Sequence, residues 1–389
     1  MKQIFRLLLL ALVLYTYSCT EKYVALYGLY EEGTTVDNAL LIYMAGDNSL
    51  SGYTSSNLND IYSYFEDTPE YNARVIVYRD YLYDVPKLLE VKINASSGEV
   101  ETVVLEEYEE HNSASGEVLS QVISDFLTHS PAYSYKLDLW SHGDGWVTKA
   151  STDVSSRAVL QDGSDWLNIS ELRDSLVTGV FDCILFDACL MGNIEVAYAL
   201  REKANYIVAS PSEVPANGMP YAYMTGDLLR GDYQSVAEKY FEYYNTSTYS
   251  SCGLIGVYDL SKIDALKDSF NEVVRDEYST INSVKGVGIQ QFSSISYEYY
   301  DLLDFVSTLC SDTEKVAAFE SALNDFVVYK RYKNDEDEYG WGLESARWGS
   351  FYQVTDFCGT SCYIPFTTST LLSSYKTTDW YLATYATFL

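Results

Sequence analysis

The sequence predicts an α/β protein: a mostly parallel central sheet with helices on both faces, and an aromatic, strand-rich C-terminal portion. Three observations carry this. Ile184-Leu185-Phe186 is apolar at consecutive positions, and so on both faces, as in a strand buried within a parallel sheet. Residues 116–128 set Val118, Leu119, Val122, Ile123 and Phe126 along one helical face. Strand-like runs and helical patterns then alternate from Ala39 to about Ser210, the order expected of strands joined by crossover helices.

The elements follow in order. Residues 39–45 read as a strand that stops at the tight turn Gly46-Asp47-Asn48, and residues 58–65 begin a helical pattern. Residues 74–78 alternate as a second strand, and 87–93 with 99–105 form a hairpin about Asn94-Ala95-Ser96-Ser97-Gly98. The helix over 116–128 leads into the strand Leu137-Asp138-Leu139-Trp140-Ser141, which ends at His142. Residues 148–166 are polar and irregular, a solvated loop. The strand Ile184-Leu185-Phe186 stops at Asp187-Ala188-Cys189, and residues 190–201 carry Leu190, Ile194, Ala197 and Leu200 at helical spacing. A strand over 204–209 is followed by the loop 210–221, a helix over 233–244, a strand over 253–258 and an amphipathic helix over 260–274. Residues 297–309, with Asp301 and Asp304, precede a helix over 313–328. From Tyr339 on, the chain is aromatic and strand-like, including Tyr363-Ile364-Pro365-Phe366, and is taken as a subdomain packed on the sheet. The organisation expected is a leader over 1–19, a tether over 20–36, a core over 37–260 and a packed C-terminal portion over 261–389.

The 389 residues, 47% of them hydrophobic, supply a sizeable core. Residues 1–6 carry Lys2 and Arg6, and the apolar run 7–14 is too short to span a bilayer, so the N-terminus reads as a signal peptide. Cys19 after it fits either the lipidation site of a bacterial lipoprotein or simple secretion. The protein is therefore expected to be exported, with membrane contact only through a lipid anchor at the cell surface or in the periplasm. A net charge of −31 argues against nucleic acid. That charge fits both plain solubility and the steering of basic peptides. Seven cysteines in so long a chain are no disulfide scaffold, although Cys358 and Cys362 in an exported protein would close a small loop if bonded. The 38 tyrosines have no account at this level beyond amphipathic surface coverage.

The chemistry converges on two stretches. A cysteine between a strand and a helix meets the positive end of the helix dipole, which favours thiolate, and Cys189 has that setting in the sequence. His142 ends the neighbouring strand beside Gly143, whose backbone a substrate carbonyl can approach closely. A lone cysteine or a lone histidine is packing more often than chemistry. Here both end apolar strands, both adjoin Gly or Ala, and His142 precedes Cys189 by 47 residues. A thiol, an imidazole and N–H donors at Gly143 and Cys189 are the minimal set for acyl transfer. Active sites of such sheets lie beyond the C-terminal strand ends, where both residues fall. No G-x-x-x-x-G-K-[ST], H-E-x-x-H or G-x-S-x-G occurs, so nucleotide hydrolases, zinc peptidases and serine hydrolases lose their anchors. With no D-x-D-x-D loop either, neither metal nor cofactor is predicted.

The blocks H-G-x-G-W (142–146), D-A-C-L-M-G-x-x-E-V-A-Y-A-L (187–200) and Y-M-A-G-D-N-S-L (43–50) together resemble the clostripain-type cysteine peptidases, relatives of caspases, legumain and gingipains. The resemblance implies a caspase-like fold and an endopeptidase with a His142–Cys189 dyad that cuts after a basic residue. It also implies activation by cleavage between the catalytic blocks, where Lys149 and Arg157 are the basic residues and Arg157, further from His142, is preferred. A pocket for Arg or Lys needs a desolvated carboxylate. Asp187 is the first candidate, with helix capping as its alternative role, and Glu213 is the second. The rival expectation is a non-catalytic surface lipoprotein that binds peptides or glycans on the same fold. Retention of both Cys189 and His142 argues against it.

Overall fold

The computed structural model describes residues 35–67, 72–147, 159–244, 253–284, 288–293, 299–332, 343–345, 350–352, 354 and 356–388. The signal-peptide stretch, Cys19, Lys149 and Arg157 lie outside the described residues. The strands in chain order are β1 (Val36–Gly46), β2 (Ala73–Tyr81), β3 (Asp84–Ile93), β4 (Val100–Glu107), β5 (Ala132–Trp140), β6 (Val159–Asp162), β7 (Asp165–Leu167), β8 (Phe181–Asp187), β9 (Ala204–Ala209), β10 (Ile255–Asp259), β11 (Gln291–Ser293), β12 (Tyr299–Asp301), β13 (Val327–Arg331), β14 (Leu343–Ser345), β15 (Ser350–Tyr352) and β16 (Ser361–Cys362). The α-helices are α1 (Ser51–Asp67), α2 (Gly116–His129), α3 (Ile169–Ser175), α4 (Ile194–Ala199), α5 (Tyr221–Arg230), α6 (Tyr233–Tyr244), α7 (Ile263–Glu277), α8 (Ile281–Val284), α9 (Leu302–Leu309), α10 (Thr313–Phe326), α11 (Leu372–Tyr375) and α12 (Asp379–Ala383).

One sheet organises the molecule, in the order β13-β10-β9-β8-β5-β1-β2-β3-β4. Its five central strands, from β9 to β2, are parallel to one another. Antiparallel strands extend it on either side, the expected hairpin β3–β4 on one and β10 with β13 on the other. Side chains alternate across the pleat and build two cores. In β1, Ala39, Leu41, Tyr43 and Ala45 join one core, and Leu40, Ile42 and Met44 the other. In β8 the same division separates Ile184 and Phe186 from Cys183 and Leu185. The first core takes Leu119 and Phe126 of α2 and Leu266 and Phe270 of α7. The second takes Leu58 and Ile61 of α1, Met224 and Leu228 of α5, and Val236 and Tyr240 of α6.

Several expectations are revised. The stretch after Cys189 is a turn; helix α4 begins only at Ile194, capped by the Asn193 side chain, which accepts from the Val196 N–H. Residues 159–167, expected as irregular loop, form the hairpin β6–β7, turned at Gly163 with φ 52°. The C-terminal portion is aromatic as expected, but its strands β14, β15 and β16 are two or three residues long and it becomes helical from Leu372. Cys358 and Cys362 are both free and buried, and the Cys358 thiol donates to the Thr360 carbonyl at 3.1 Å. Tyrosine is core material here: Tyr43, Tyr78, Tyr221, Tyr240, Tyr244, Tyr258, Tyr299, Tyr375 and Tyr385 are fully buried. Its hydroxyl lets an aromatic ring fill a core and still satisfy a polar partner, as Tyr43 does by donating to the Ser113 carbonyl at 2.8 Å.

Candidate active site

Strands β5 and β8 run parallel with Trp140 opposite Asp187, and the Ser141 N–H donates to the Asp187 carbonyl at 3.3 Å. His142 and Cys189 each lie two residues beyond that last matched pair. The two turns that carry them touch through Gly143. A Cβ there would come to 2.6 Å from the Cys189 carbonyl oxygen and 3.2 Å from Met191 Sδ, so only glycine lets the turns approach this closely. Gly143 also bridges to Val159, which brings the start of the β6–β7 hairpin against the site.

His142 is half-buried, and its Nε2 lies 2.8 Å from Ser49 Oγ. Trp166 of β7 faces the imidazole, ring centroids 6.2 Å apart. Asn48, one residue before Ser49, donates to the Ala45 carbonyl at 2.9 Å and the Gln161 carbonyl at 2.8 Å. Ser141 Oγ donates to Ala45 O at 2.8 Å and accepts from the Gln161 N–H at 3.0 Å. The turn after β1, the turn after β5 and the hairpin are thus one hydrogen-bonded unit behind the imidazole.

The thiol lies against the loop after β9. Cys189 Sγ accepts from the Val214 N–H at 3.3 Å, with the Val214 carbonyl oxygen 3.6 Å away as its acceptor. Leu190 has φ 63°, left-handed for a residue with a side chain, and its N–H donates to the Ser212 carbonyl at 2.8 Å. Burial pushes the Cys189 thiol up to about 12, against the Val214 N–H, with Glu213, Asp144 and Asp187 adding to the rise. This overturns the expected thiolate. With α4 starting five residues later, the helix dipole does not reach the sulfur, and burial decides.

Asp187 is buried, 4% exposed, and its Oδ2 accepts from the Met219 N–H at 2.8 Å and the Tyr221 hydroxyl at 2.9 Å. It does not cap the following helix, a role that belongs to Asn193. Gly218, with φ 73°, lies so close that a Cβ there would come to 2.6 Å from Asp187 Oδ2. Burial pushes the Asp187 carboxyl up to about 6, and Met219 and Tyr221 pull the other way. Glu213 is half-buried beside the thiol, accepts from the Ser212 hydroxyl at 3.1 Å and is also raised by burial. His142, Gly143, Asp187, Cys189 and Glu213 thus gather at the C-terminal ends of β5, β8 and β9, while no group of three or more His, Cys, Asp or Glu among the described residues is arranged to hold a metal.

Ser49, Trp166, Val214 and Tyr221 are neighbours of this site that the sequence reading did not single out. Ser49 had a signal, since it lies inside the block 43–50 that carried the resemblance. Asp138, 2.7 Å from the Tyr221 hydroxyl, had one too: an acid in the middle of a strand buried on both faces needs an explanation.

The clostripain family model matches residues 42–378. Clostripain from Hathewaya histolytica is 23% identical over 369 residues, covering 76% of this chain and 69% of that one. An inactive zymogen C11 protease from Parabacteroides distasonis superposes with a TM-score of 0.79 at 34% identity, covering 91% of this chain and 99% of that one. A secreted C11 cysteine protease from Bacteroides thetaiotaomicron, in complex with an irreversible peptide inhibitor, superposes with a TM-score of 0.76 at 27% identity, covering 89% and 98%.

Proposed function

The chain belongs to the clostripain family and is a cysteine endopeptidase, and from that premise we propose that Cys189 is its nucleophile, His142 its proton carrier and Asp187 the acid that selects a basic residue before the scissile bond. The observation that carries this is the register of β5 and β8, in which the imidazole and the thiol follow the same matched pair by the same number of residues. The thiol is neutral at rest, so attack and deprotonation are coupled. His142 takes the Sγ proton as sulfur adds to the carbonyl carbon, and the N–H groups of Gly143 and Cys189 hold the resulting oxyanion. The C–N bond then breaks as His142 returns the proton to the leaving amine. Water, deprotonated by His142, releases the acyl group and restores the thiol. Ser49 Oγ, 2.8 Å from Nε2, holds the imidazole in place for this proton traffic.

The preference for Arg or Lys rests on a buried carboxylate with no cationic partner among the described residues, two positions from the nucleophile. The surface of net charge −31 assists by drawing basic peptides in. Glu213 is a secondary contact at the pocket edge. Cleavage after Arg157, or after Lys149, activates the enzyme, a reading supported by a relative whose structure is that of an inactive zymogen. Export through residues 1–19 with lipidation at Cys19 accords with a secreted relative. The test compares fluorogenic peptides carrying Arg or Lys with others carrying Asp or Asn before the bond. They are offered to the chain from Thr20 on, intact and nicked at Arg157, and to Cys189→Ala and His142→Ala. Turnover of the Arg and Lys peptides, lowered at least about a thousandfold in either variant, is expected. Silence of both intact and nicked protein on every peptide would sink the reading.

A further inference from the structure

Behind Asp187 lies a second buried acid that catalysis does not use. Asp138 of β5 is 0% exposed, on the same sheet face as Asp187, and between the two carboxyls lies the hydroxyl of Tyr221 from α5, also fully buried. That hydroxyl is 2.7 Å from Asp138 Oδ2 and 2.9 Å from Asp187 Oδ2. A phenol carries one hydrogen, so it donates to only one of them. Were both acids ionised, one close oxygen–oxygen contact would have no hydrogen in it, and two buried anions would face each other with no counter-ion among the described residues. A single added proton satisfies both contacts: one carboxyl donates to the phenol oxygen and the phenol donates to the other carboxyl. Asp187 Oδ2 is the acceptor end, since it also accepts from the Met219 N–H at 2.8 Å. The proton therefore falls to Asp138, whose Oδ1 has no hydrogen-bond partner, a smaller penalty for a neutral carbonyl than for a carboxylate.

We infer that Asp138 is a positioning residue for substrate selection, which holds a proton and, through Tyr221, confines the negative charge of the buried pair to Asp187. The inference rests on the reading of Asp187 as the acid that meets a basic substrate side chain. Burial and the neighbouring Asp187 raise the Asp138 carboxyl well above the ordinary range, opposed by Tyr221 and the Asp187 backbone N–H. Asp187 rises only to about 6. The other titratable groups that face the pair are few. Cys183 on β8 is a buried neutral thiol, raised by burial, and Cys189 follows Asp187. Lys136 on β5 turns its ammonium to Asn38 and Ser134. On the remaining side Asn57 of α1 accepts from the Trp140 indole at 2.8 Å and donates to the Asn217 carbonyl at 2.8 Å, an uncharged clamp on the loop that carries Met219. A single charge placed at the pocket end attracts a guanidinium or ammonium without a second buried anion to stabilise.

The experiment measures kcat/KM against pH for two peptides, one with Arg and one with an uncharged residue before the bond, in the active protein and in Tyr221→Phe and Asp138→Asn. Tyr221→Phe deletes one of the two donors to Asp187, so the acid limb for the Arg peptide moves up by roughly one pH unit, while the limb for the uncharged peptide stays in place. Asp138→Asn cannot ionise, and its amide N–H replaces the acid proton towards Tyr221, so the preference for Arg is kept within about twofold. A difference infrared spectrum at neutral pH, parent minus Asp138→Asn, shows a protonated-carboxyl C=O band. Unshifted limbs in Tyr221→Phe, collapse of the Arg preference in Asp138→Asn, or no such band would each overturn the inference. If the parent protein itself shows no preference for Arg, the reading of Asp187 fails instead, and the infrared band still decides where the proton sits.

Discussion

Ser49 Oγ lies 2.8 Å from Nε2 of His142, the proposed proton carrier. A hydroxyl at Nε2 restrains the ring's rotation in either tautomer, so its loss acts on the chemical step more than on binding. Ser49→Ala is expected to lower kcat by roughly fivefold, the kinetic equivalent of about 1 kcal/mol for one partly solvated hydrogen bond, with KM little changed. Ser49→Thr, which keeps the hydroxyl, restores it. Steady-state kinetics on the Arg peptide check this, and an equal loss in both variants would mean that the contact is incidental. The residues of the proposed dyad were legible because each combines a reactive side chain, a strand end and a small neighbour. The protonation state of Cys189 was not, because it depends on burial against a loop more than twenty residues away, whose Glu213 adds to the rise while its Val214 amide opposes it.

The β8–turn–α4 unit shows how far periodicity reaches. Strand β8 was plain from its consecutive apolar residues, and Leu190, Ile194, Ala197 and Leu200 suggested a helix directly after Cys189. Those side chains are buried as expected, but tertiary contacts override the local pattern: Leu190 and Gly192 donate their N–H groups to Ser212 and Ser210 of the neighbouring loop. Leu190 makes its bond with a left-handed φ of 63°, which an α-helix does not allow, so the turn wins and Asn193 opens the helix instead. Asn193 serves both sides, accepting from the Val196 N–H at 2.9 Å and donating to the Leu190 carbonyl at 2.8 Å. Asn193→Ala therefore removes a cap and orphans a buried carbonyl next to Cys189. A loss of about 2 kcal/mol in urea unfolding is expected, together with a fall in kcat that exceeds that of any cap remote from the site. Unaltered stability would show that the turn is held by the loop alone. The β6–β7 hairpin escaped sequence reading for a related reason: Val159 and Leu160 are too few to display a period, and Val159 is also bridged by Gly143 from elsewhere in the chain.

At the scale of the molecule the parallel centre was legible, while of the C-terminal portion the aromatic character was legible and the order of its short elements was not, because its aromatic residues pack on ring contacts that have no period. Trp146, next to the His142 turn, meets Tyr363 and Tyr375 with ring centroids 5.0 and 4.8 Å away. One tie between this cluster and the segment after Cys189 is Glu195 of α4. Its Oε1 accepts from the Tyr363 N–H and the Tyr375 hydroxyl, both at 2.9 Å, and its Oε2 is buried without a partner. Burial pushes the Glu195 carboxyl up to about 7, against those two donors. A carboxyl raised on folding binds its proton more tightly in the native state. Its contribution to stability is complete below the ordinary glutamate value, near 4.5, and is lost as pH rises through about 7. The rise corresponds to about 3 kcal/mol. The net charge of −31 acts in the same direction, since lowering the pH towards 5 relieves self-repulsion. Glu195→Gln separates the two effects: the amide oxygen accepts the same two bonds and never ionises, while the surface charge is untouched. Urea unfolding from pH 5 to pH 8 is expected to show the parent losing about 3 kcal/mol more than the variant across that window. Parallel curves would place the titration outside Glu195 and leave surface charge as the cause of any pH dependence.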